Sequence, residues 1–260
     1  MTRTDLERGR FLTTRWSVVL AAASPEEPLR RAALEDLCAT YWYPLYAYVR
    51  RSGYDADAAA DLTQDFFARI LEREDLRRVD RERGRFRAYV LAAMKHLLVN
   101  RRASGRAAKR GGGRVPVSID VEDAEVRFDR EPRDERTPEA AFERAWAEAA
   151  IARAFERLRE EQTRIGRGGL FDDLTPALIG TEDGLPYAEV AARHRTSENA
   201  VKVAVHRLRG RLGELLREEV GGTVAGHADV EAEIRALFEA LGAPAPEPPG
   251  AAGGDSAIAP

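Results

Sequence analysis

The sequence predicts an all-α protein in which an acidic linker joins two helical domains. Apolar residues recur every three or four positions in successive segments, which is the period of an amphipathic helix. Charges are also separated along the chain: residues 84–114 hold nine basic residues and no acidic one, whereas residues 115–150 hold 11 acids against five arginines. Residues 115–136 contain two prolines and little apolar periodicity, so this stretch is predicted to be the linker.

Composition limits the class of protein. A chain of 260 residues can form one large domain or two small ones. Its formal net charge of −3 is unlike that of a nucleic-acid binder, but blocks of opposite sign indicate separate surfaces with separate partners. Cys38 is the only cysteine, which excludes an intramolecular disulfide, and its apolar surroundings predict a buried thiol. No apolar segment has the length of a signal peptide or a membrane span, so we expect a cytoplasmic protein without membrane insertion.

The first domain is predicted to begin with aromatic-rich helices. A short helix is predicted over residues 11–23, and a long one from about Glu26 to Arg51. Pro44 is expected to kink or divide the long helix, because proline removes one hydrogen bond of the ladder and its ring clashes with the preceding turn. The long helix carries an aromatic cluster for which a core position is favoured over a ligand site; its members are Tyr41, Trp42, Tyr43, Tyr46 and Tyr48.

The next predicted helix, capped by Asp55, combines an apolar face with an acidic ridge. Both repeat every four residues: the apolar positions are Ala58, Leu62, Phe66 and Ile70, and the acidic ones are Asp57, Asp61 and Asp65. Repulsion along the ridge is partly offset by Arg69, which is placed to pair with Asp65. A solvated surface and a partner-binding ridge both fit this pattern, whereas a metal site lacks a histidine or a third acid in register.

A basic helix is predicted from Phe86 to about Lys109, after a charged loop over residues 72–84. The buried stripe of this helix is predicted to consist of Phe86, Val90, Leu91, Met94, Leu97 and Leu98, and its end is wholly basic. The glycines at 111–113 lack the lysine and hydroxyl residue of a phosphate-binding loop, so they are predicted to form a hinge.

The second domain contains a predicted helical hairpin, residues 185–216. A helix that opens at Thr137 and Pro138 and runs to about Gln162 precedes it, as does a short helix over residues 171–179. A break at residues 195–197 separates the two helices of the hairpin, and Ser197 is placed to cap the second one. This second helix turns an arc of hydrogen-bond donors outward and buries Val201, Val205, Leu208, Leu212 and Leu215. The division suits a helix-turn-helix that reads DNA, although an amphipathic hairpin with solvated charges fits the same pattern.

An acidic extension follows the hairpin. Residues 218–260 hold eight acids against Arg235 alone, and one more helix is predicted over residues 228–242. The low-complexity tail behind it is predicted to be disordered. Two roles fit the extension: an inert solubilising tail, or an autoinhibitory segment that folds back on the basic surfaces and competes with DNA.

Three stretches carry a family resemblance: YPLYAYVRRSGYDADAAADLTQDFFARIL, RGRFRAYVLAAMKHLLVNRRASGRAAKR, and the hairpin at 185–216. Together they resemble a bacterial RNA polymerase sigma factor of the extracytoplasmic-function type. The first two are similar to the sigma-two domain, whose basic helix melts and reads the minus-ten promoter element, and the hairpin is similar to the sigma-four reader of the minus-thirty-five element. The resemblance implies five segments: an N-terminal helical extension (1–29), a sigma-two-like domain (30–112), a linker (113–136), a sigma-four-like domain (137–220) and an acidic helix with a disordered tail (221–260).

The resemblance also implies site residues. Core RNA polymerase would dock on Asp61, Gln64, Asp65 and Phe67. The minus-ten element would meet Arg85, Arg87, Lys95, His96, Asn100, Arg101, Arg102, Arg106, Lys109 and Arg110, with an extruded base beside residues 72–87. The minus-thirty-five element would meet Ser197 and two further groups of residues. Those expected to reach base edges are Asn199, Lys202, Val203 and His206, and those expected to contact phosphates are Arg193, Arg195, Arg207, Arg209 and Arg211. No catalytic residue, metal or cofactor is implied; the partners are core polymerase, promoter DNA and, in some members, an anti-sigma factor.

The chain departs from the family pattern at several positions. Arg195 occupies the turn position that usually holds glycine, so a standard turn would place an arginine in the left-handed conformation. His96 and Asn100 stand where asparagine and aspartate are more usual, which leaves base preference at the minus-ten element open.

Two other functions compete with the sigma-factor interpretation. A helix-turn-helix regulator that does not engage polymerase would need only the hairpin. A metal-dependent nuclease would use the acidic ridge, but no histidines with ligand-like spacing and no nucleophile motif accompany it. We therefore do not expect an enzyme.

Overall fold

A computed structural model gives the structure of the chain, and it describes residues 21–22, 24, 26–72, 86–103, 121–131, 137–181, 183–221 and 227–242. Regular structure in these ranges is entirely helical, which confirms the predicted all-α class. The helices are α1 (Glu27–Arg51), α2 (Ala56–Glu72), α3 (Phe86–Ala103), α4 (Val121–Arg130), α5 (Pro138–Arg164), α6 (Gly168–Ile179), α7 (Tyr187–Arg193), α8 (Glu198–Gly221) and α9 (His227–Leu241). None of these helices is long and apolar enough to cross a membrane.

Several predicted segments lie outside the described residues. They are the N-terminal helix apart from residues 21–22, the loop that follows α2, the basic end of the helix that begins at Phe86, the glycine hinge, and the tail after residue 242.

The chain divides into two compact units, residues 1–150 with 219–242 and residues 151–218 with 243–260. The division falls inside α5 and inside α8, and not in the predicted linker at residues 113–136. The reason is that the start of α5 and the whole of α9 bury side chains in the first unit, including Phe142, Trp146 and Leu237.

Helix α1 forms the centre of the first unit. Its second half is buried on nearly every face, and Cys38 and Tyr46 are fully buried, as the sequence predicted. Pro44 lies inside one continuous helix and so does not divide α1. We attribute this to the dense packing around the proline, because burial of the surrounding side chains compensates for the hydrogen bond that proline cannot form.

Helices α2 and α3 contribute to the same core. Of the predicted apolar face of α2, Leu62 and Phe66 are buried and Ala58 is half-buried, while the side chain of Ile70 lies outside the described part of the chain. The backbone N–H of Ala58 donates to Asp55 Oδ1 at 2.8 Å, which confirms the predicted cap of α2. The buried residues of α3 include the six that the sequence predicted for its stripe. Tyr41 of α1 meets Phe86 of α3 edge to face, with ring centroids 5.5 Å apart.

Helix α4 was not predicted, since its residues were interpreted as part of a linker. It packs against α1 and α2 although only Ala124 is fully buried. Aromatic and charged contacts hold α4 instead. Phe128 lies edge to face with Tyr46, at a centroid separation of 6.5 Å, and Arg50 and Arg51 of α1 lie over the Phe128 ring. Apolar periodicity is a poor indicator of such a helix, because most of its contacts are polar.

The second unit contains the later part of α5, all of α6 and α7, and α8 as far as Glu218. The start of α5, which belongs to the first unit, is as predicted: the N–H of Ala140 donates to Thr137 Oγ1 at 3.2 Å, and Pro138 is the first helical residue. Phe155 of α5 and Phe171 of α6 lie 5.8 Å apart between ring centroids, and Leu158 and Leu174 are fully buried.

Candidate nucleic-acid interface

The turn between α7 and α8 has the geometry that the sequence predicted. Arg195 adopts a left-handed conformation with φ of 52°. The N–H of Thr196 donates to the Ala191 carbonyl at 2.9 Å, and the N–H of Arg195 donates to the Ala192 carbonyl at 3.3 Å. This pair of hydrogen bonds is the Schellman pattern at a helix C-terminus, which usually places glycine where Arg195 stands. The turn therefore carries backbone strain that a glycine would relieve.

Helix α8 begins at a capped N-terminus and is fixed by a buried stripe. The N–H of Ala200 donates to Ser197 Oγ at 3.2 Å, as predicted. The stripe is also as predicted, except that Leu212 is only half-buried: its buried members are Val201, Val205, Leu208 and Leu215.

The opposite face of α8 is an exposed arc, by which we mean Asn199, Lys202, Val203, His206 and Arg207. Lys202 pairs with Glu198 at 2.8 Å, a hydrogen bond that raises the pKa of the lysine. Val203 is 40% exposed, so an apolar side chain lies among the hydrogen-bonding groups. Amides, cations and an apolar group together are what base edges and thymine methyl groups require in the major groove.

Three arginines of the predicted minus-thirty-five set are engaged inside the second unit. Arg193 donates to Asp173 at 2.7 Å, and Arg209 donates to the Ala177 carbonyl at 2.7 Å. Arg211 is surrounded by carboxylates, and its partners are Glu161, Glu214 and Glu218. Hydrogen bonding to Glu161 raises the pKa of Arg211 and lowers that of Glu161. Arg211 is thus a brace of the unit and a poor candidate for a phosphate contact.

A second basic surface lies at the end of α3 in the first unit. His96, Asn100, Arg101 and Arg102 are exposed there. Of the other residues predicted for the minus-ten element, Lys95 pairs with Glu139 at 2.8 Å with its side chain 41% exposed. Four other members lie outside the described residues: Arg85, Arg106, Lys109 and Arg110.

Beside this surface, a cleft of about 500 Å³ opens between α3 and the end of α1. Its lining residues are Tyr48, Arg51, Ser52, Lys95, Leu98, Val99, Arg102 and Pro138. Arg102 donates to the Ser52 carbonyl at 3.4 Å, its central guanidinium carbon lies 5.8 Å from the centroid of the Tyr54 ring, and Val99 is 62% exposed. The cleft therefore combines a cation with an apolar wall and lies within the usual volume range of small-ligand sites, roughly 300–1,000 Å³.

The structure corrects the prediction for Arg87. This arginine is 4% exposed, lies inside the first unit, and forms ion pairs with Glu143 and Glu233. Because it is enclosed, Arg87 cannot belong to a DNA-facing surface in this conformation. The local pattern could not reveal this, because Glu233 is distant in sequence.

The acidic ridge on α2 is only partly as predicted. Asp57, Asp61 and Gln64 are exposed, whereas Asp65 is half-buried and pairs with Arg69 at 3.0 Å and Arg101 at 3.8 Å. Phe67, which the resemblance places in the polymerase contact, is 4% exposed and packs in the core, so this assignment is corrected. Within the described ranges, no three metal-binding side chains come together on the ridge or elsewhere.

The sequence prediction missed the acids of α4, which meet the arginines of α1. Glu125 accepts hydrogen bonds from Arg50 Nε at 3.0 Å and from the Tyr46 hydroxyl, and Glu131 accepts one from the Tyr43 hydroxyl at 2.6 Å. Burial and these hydrogen bonds raise the pKa values of both tyrosines. The stretch interpreted as an acidic linker thus supplies carboxylates that pair with arginines and accept hydrogen bonds from tyrosines of the first unit.

Comparison with known proteins gives no independent assignment: no family model, curated protein or solved structure matches the chain. The function must therefore be argued from the surfaces themselves.

Proposed function

We propose that the protein is a bacterial sigma factor, which binds core RNA polymerase and directs transcription initiation at promoters with minus-thirty-five and minus-ten elements. The observation that carries the proposal is the arrangement of α8. This helix follows a tight turn, its N-terminus is capped, one face is buried, and the opposite face presents the exposed arc. A helix that reads the major groove needs one face anchored in the core of its domain and an opposite face rich in hydrogen-bond donors. Like other sigma factors, it would act as a binding protein and not as an enzyme by itself.

The minus-ten element is assigned to the first unit. Lys95, Val99 and Arg102 follow one another along α3 and form one wall of the cleft. Proteins that hold single strands combine cations for the phosphates with apolar or aromatic platforms for the bases. We place one nucleotide of the opened strand in this cleft, with Arg102 towards its phosphate, in preference to the predicted pocket beside residues 72–87.

Polymerase binding is assigned to the two exposed acids of the α2 ridge, Asp57 and Asp61, together with the neighbouring exposed Gln64. A row of carboxylates one turn apart repels itself, and a basic partner surface would remove that repulsion. Phe67 has no part in this contact because it is buried.

The test is transcription from a supercoiled promoter library by core polymerase, with and without the protein. Specific transcripts are expected only in its presence. Asp61→Asn should weaken polymerase binding and leave duplex DNA binding unchanged, and Glu156→Gln, at an exposed position of the second unit, serves as the control.

One observation favours a second candidate, a helix-turn-helix regulator that does not engage polymerase. The α8 arc is complete within the second unit, whereas Asp65 of the ridge is already paired with Arg69 and Arg101. Tight binding to specific duplexes without any specific transcript would favour the regulator and reject the sigma-factor proposal.

A further inference from the structure

A buried ion pair joins α9, the helix of the acidic extension, to the first turn of α3. The side chain of Arg87 is 5% exposed and that of Glu233 is 0% exposed. Arg87 Nε lies 2.8 Å from Glu233 Oε1, and Arg87 Nη2 donates to Oε2 at 3.1 Å. One hydrogen bond and one close ion-pair contact thus join the two side chains.

Helix α5 completes the surroundings of the guanidinium group. Glu143 accepts a hydrogen bond from Arg87 Nη1, and the ring centroid of Trp146 lies 4.5 Å from the central guanidinium carbon. Glu143 and Trp146 are three residues apart, so they lie on the same side of α5. We call Arg87, Glu143, Trp146 and Glu233 the Arg87 clasp.

The clasp resolves an electrostatic conflict at the start of α3. Arg87 is the second residue of the helix, where a cation opposes the positive end of the helix dipole. The two carboxylates reverse the sign of the local charge, from one cation to a net single negative charge. Together, Glu143 and Glu233 therefore favour the first turn of α3.

Glu233 also fixes the position of α9. It lies among buried apolar residues of the same helix, Val230, Ile234 and Leu237. A buried carboxylate without its partner is strongly unfavourable, so α9 can dock only where Glu233 meets Arg87. Conversely, without α9 the buried Arg87 would lose one of its two carboxylate partners.

We propose that α9 is a positioning element for α3, and that Glu233 acts through Arg87 to hold the start of the helix that carries the minus-ten residues. The acidic extension then shapes the promoter-facing helix of the first unit without itself covering the exposed basic residues of α3. The DNA part of this inference rests on the proposed function, whereas the coupling between α9 and α3 does not.

The test uses amide hydrogen exchange on the full-length chain, followed peptide by peptide. Glu233→Leu should accelerate exchange by roughly 100-fold or more both in residues 227–241 and in residues 86–91, because it leaves Arg87 with one carboxylate in a buried site. Residues 198–208 of the second unit provide the internal reference. Glu239→Gln, on the exposed side of α9, is the matched control and should leave exchange unchanged.

A double variant separates coupling from simple damage to α9. Arg87→Met with Glu233→Leu removes both charges and keeps apolar volume, so it should restore most of the protection that Glu233→Leu removes. Faster exchange confined to residues 227–241, or no change in either segment, would overturn the proposal. The proposal would also be overturned if amide exchange in the double variant were as fast as in Glu233→Leu.

A DNA arm keeps this inference apart from the proposed function. Binding to a forked duplex with a single-stranded overhang should fall about tenfold or more in Glu233→Leu and recover in the double variant. If exchange responds as expected but the unaltered protein does not bind the fork, the coupling stands and the sigma-factor proposal fails. If the protein binds the fork equally well with and without Glu233, the positioning role in DNA binding is wrong.

Discussion

Glu161 of α5 and Arg211 of α8 form a bidentate ion pair, with Nε to Oε2 at 3.0 Å and Nη2 to Oε1 at 2.8 Å. The ion pair lies within the second unit and ties the proposed recognition helix to the helix behind it. Glu214 and Glu218 add further carboxylates around the same guanidinium. The arginine that sequence reasoning placed on the phosphates is thus committed to holding α8 in position.

Arg211→Lys should loosen α8 without changing the charge. Lysine cannot reproduce the planar fork of arginine, so only one of the two hydrogen bonds to Glu161 would remain. We expect a decrease of about 0.5–1 kcal/mol in local stability, since the pair is about one-third exposed and solvent screens it. Hydrogen exchange across residues 198–216 measures it. Arg207→Lys in the exposed arc is the control, and equal effects of the two variants would show that the fork contributes nothing.

Arg195→Gly should stabilise the turn between α7 and α8. The left-handed conformation costs an arginine roughly 1 kcal/mol. Glycine removes this cost, but it also increases the conformational entropy of the unfolded chain, which offsets part of the gain in stability. The expected net gain is about 0.5–1 kcal/mol in the opening of residues 187–200. Arg195→Ala is the informative partner, because it removes the cation but keeps the strain. If alanine stabilises as much as glycine, charge and not backbone strain explains the effect.

Lys202→Ala combined with His206→Ala should relax promoter choice at the upstream element. Both side chains are exposed on the α8 arc, and removing each hydrogen bond to a base should reduce discrimination between DNA sequences by roughly tenfold. Competition binding with a randomised duplex library measures the ranking of sites. Arg207→Ala, at a phosphate-type position, should instead weaken all duplexes alike. An unchanged ranking in the double variant would mean that the arc does not face the bases.

Local signals in the sequence were sufficient for most of the helices. The two predicted caps, at Asp55 and Ser197, and the predicted helix start at Thr137 depend on neighbours within three residues, and all three are present. The buried stripes of α3 and α8 were likewise readable, because helical periodicity alone defines them. The strained turn at Arg195 followed from the same local reasoning.

Long-range polar contacts were not readable in this way. Arg87 was assigned to DNA because it lies in the stretch that resembles a minus-ten reader, while its partner Glu233 lies 146 residues away. A signal did exist, namely an acid placed between the apolar residues Val230 and Ile234 of an otherwise regular stripe. Helix α4 was missed for a related reason, since charged and aromatic contacts hold it more than apolar burial does.

The thiol of Cys38 should be almost inert in the folded chain. Burial raises the pKa of this thiol to about 12, with a smaller contribution from Glu35. At about pH 9 an unfolded cysteine is roughly half ionised, whereas the folded one would be ionised in roughly one molecule in a thousand. Its contribution to stability is therefore complete below the unfolded pKa and is lost as pH rises towards the folded value.

Alkylation measured against pH tests this expectation at a single site, because the chain has no other cysteine. The native rate should be at least about 100-fold below the rate in urea at the same pH. Comparable rates in the two states would mean that Cys38 is accessible and that α1 opens readily around it.

Glu125→Gln should release α4 from α1. Burial opposes ionisation of Glu125, but hydrogen bonds from Arg50 and Tyr46 outweigh it and lower the pKa of this carboxyl. The stabilisation is thus present above the ordinary value of 4.5 and is lost as pH falls through the lower, folded value. At neutral pH we expect a decrease of about 1–2 kcal/mol in the stability of α4, measured by hydrogen exchange of residues 121–131.

A matched pair of variants identifies the carboxylate charge as the cause. Tyr46→Phe removes one of the donors to Glu125. The loss of stability in the double variant should therefore be smaller than the sum of the losses in Tyr46→Phe and Glu125→Gln. Glu156→Gln, at an exposed position, should have no effect on α4. The penalty of Glu125→Gln should shrink at low pH, as the native carboxyl becomes protonated below its lowered pKa. A penalty that persists unchanged there would show that shape, and not charge, holds α4 in place.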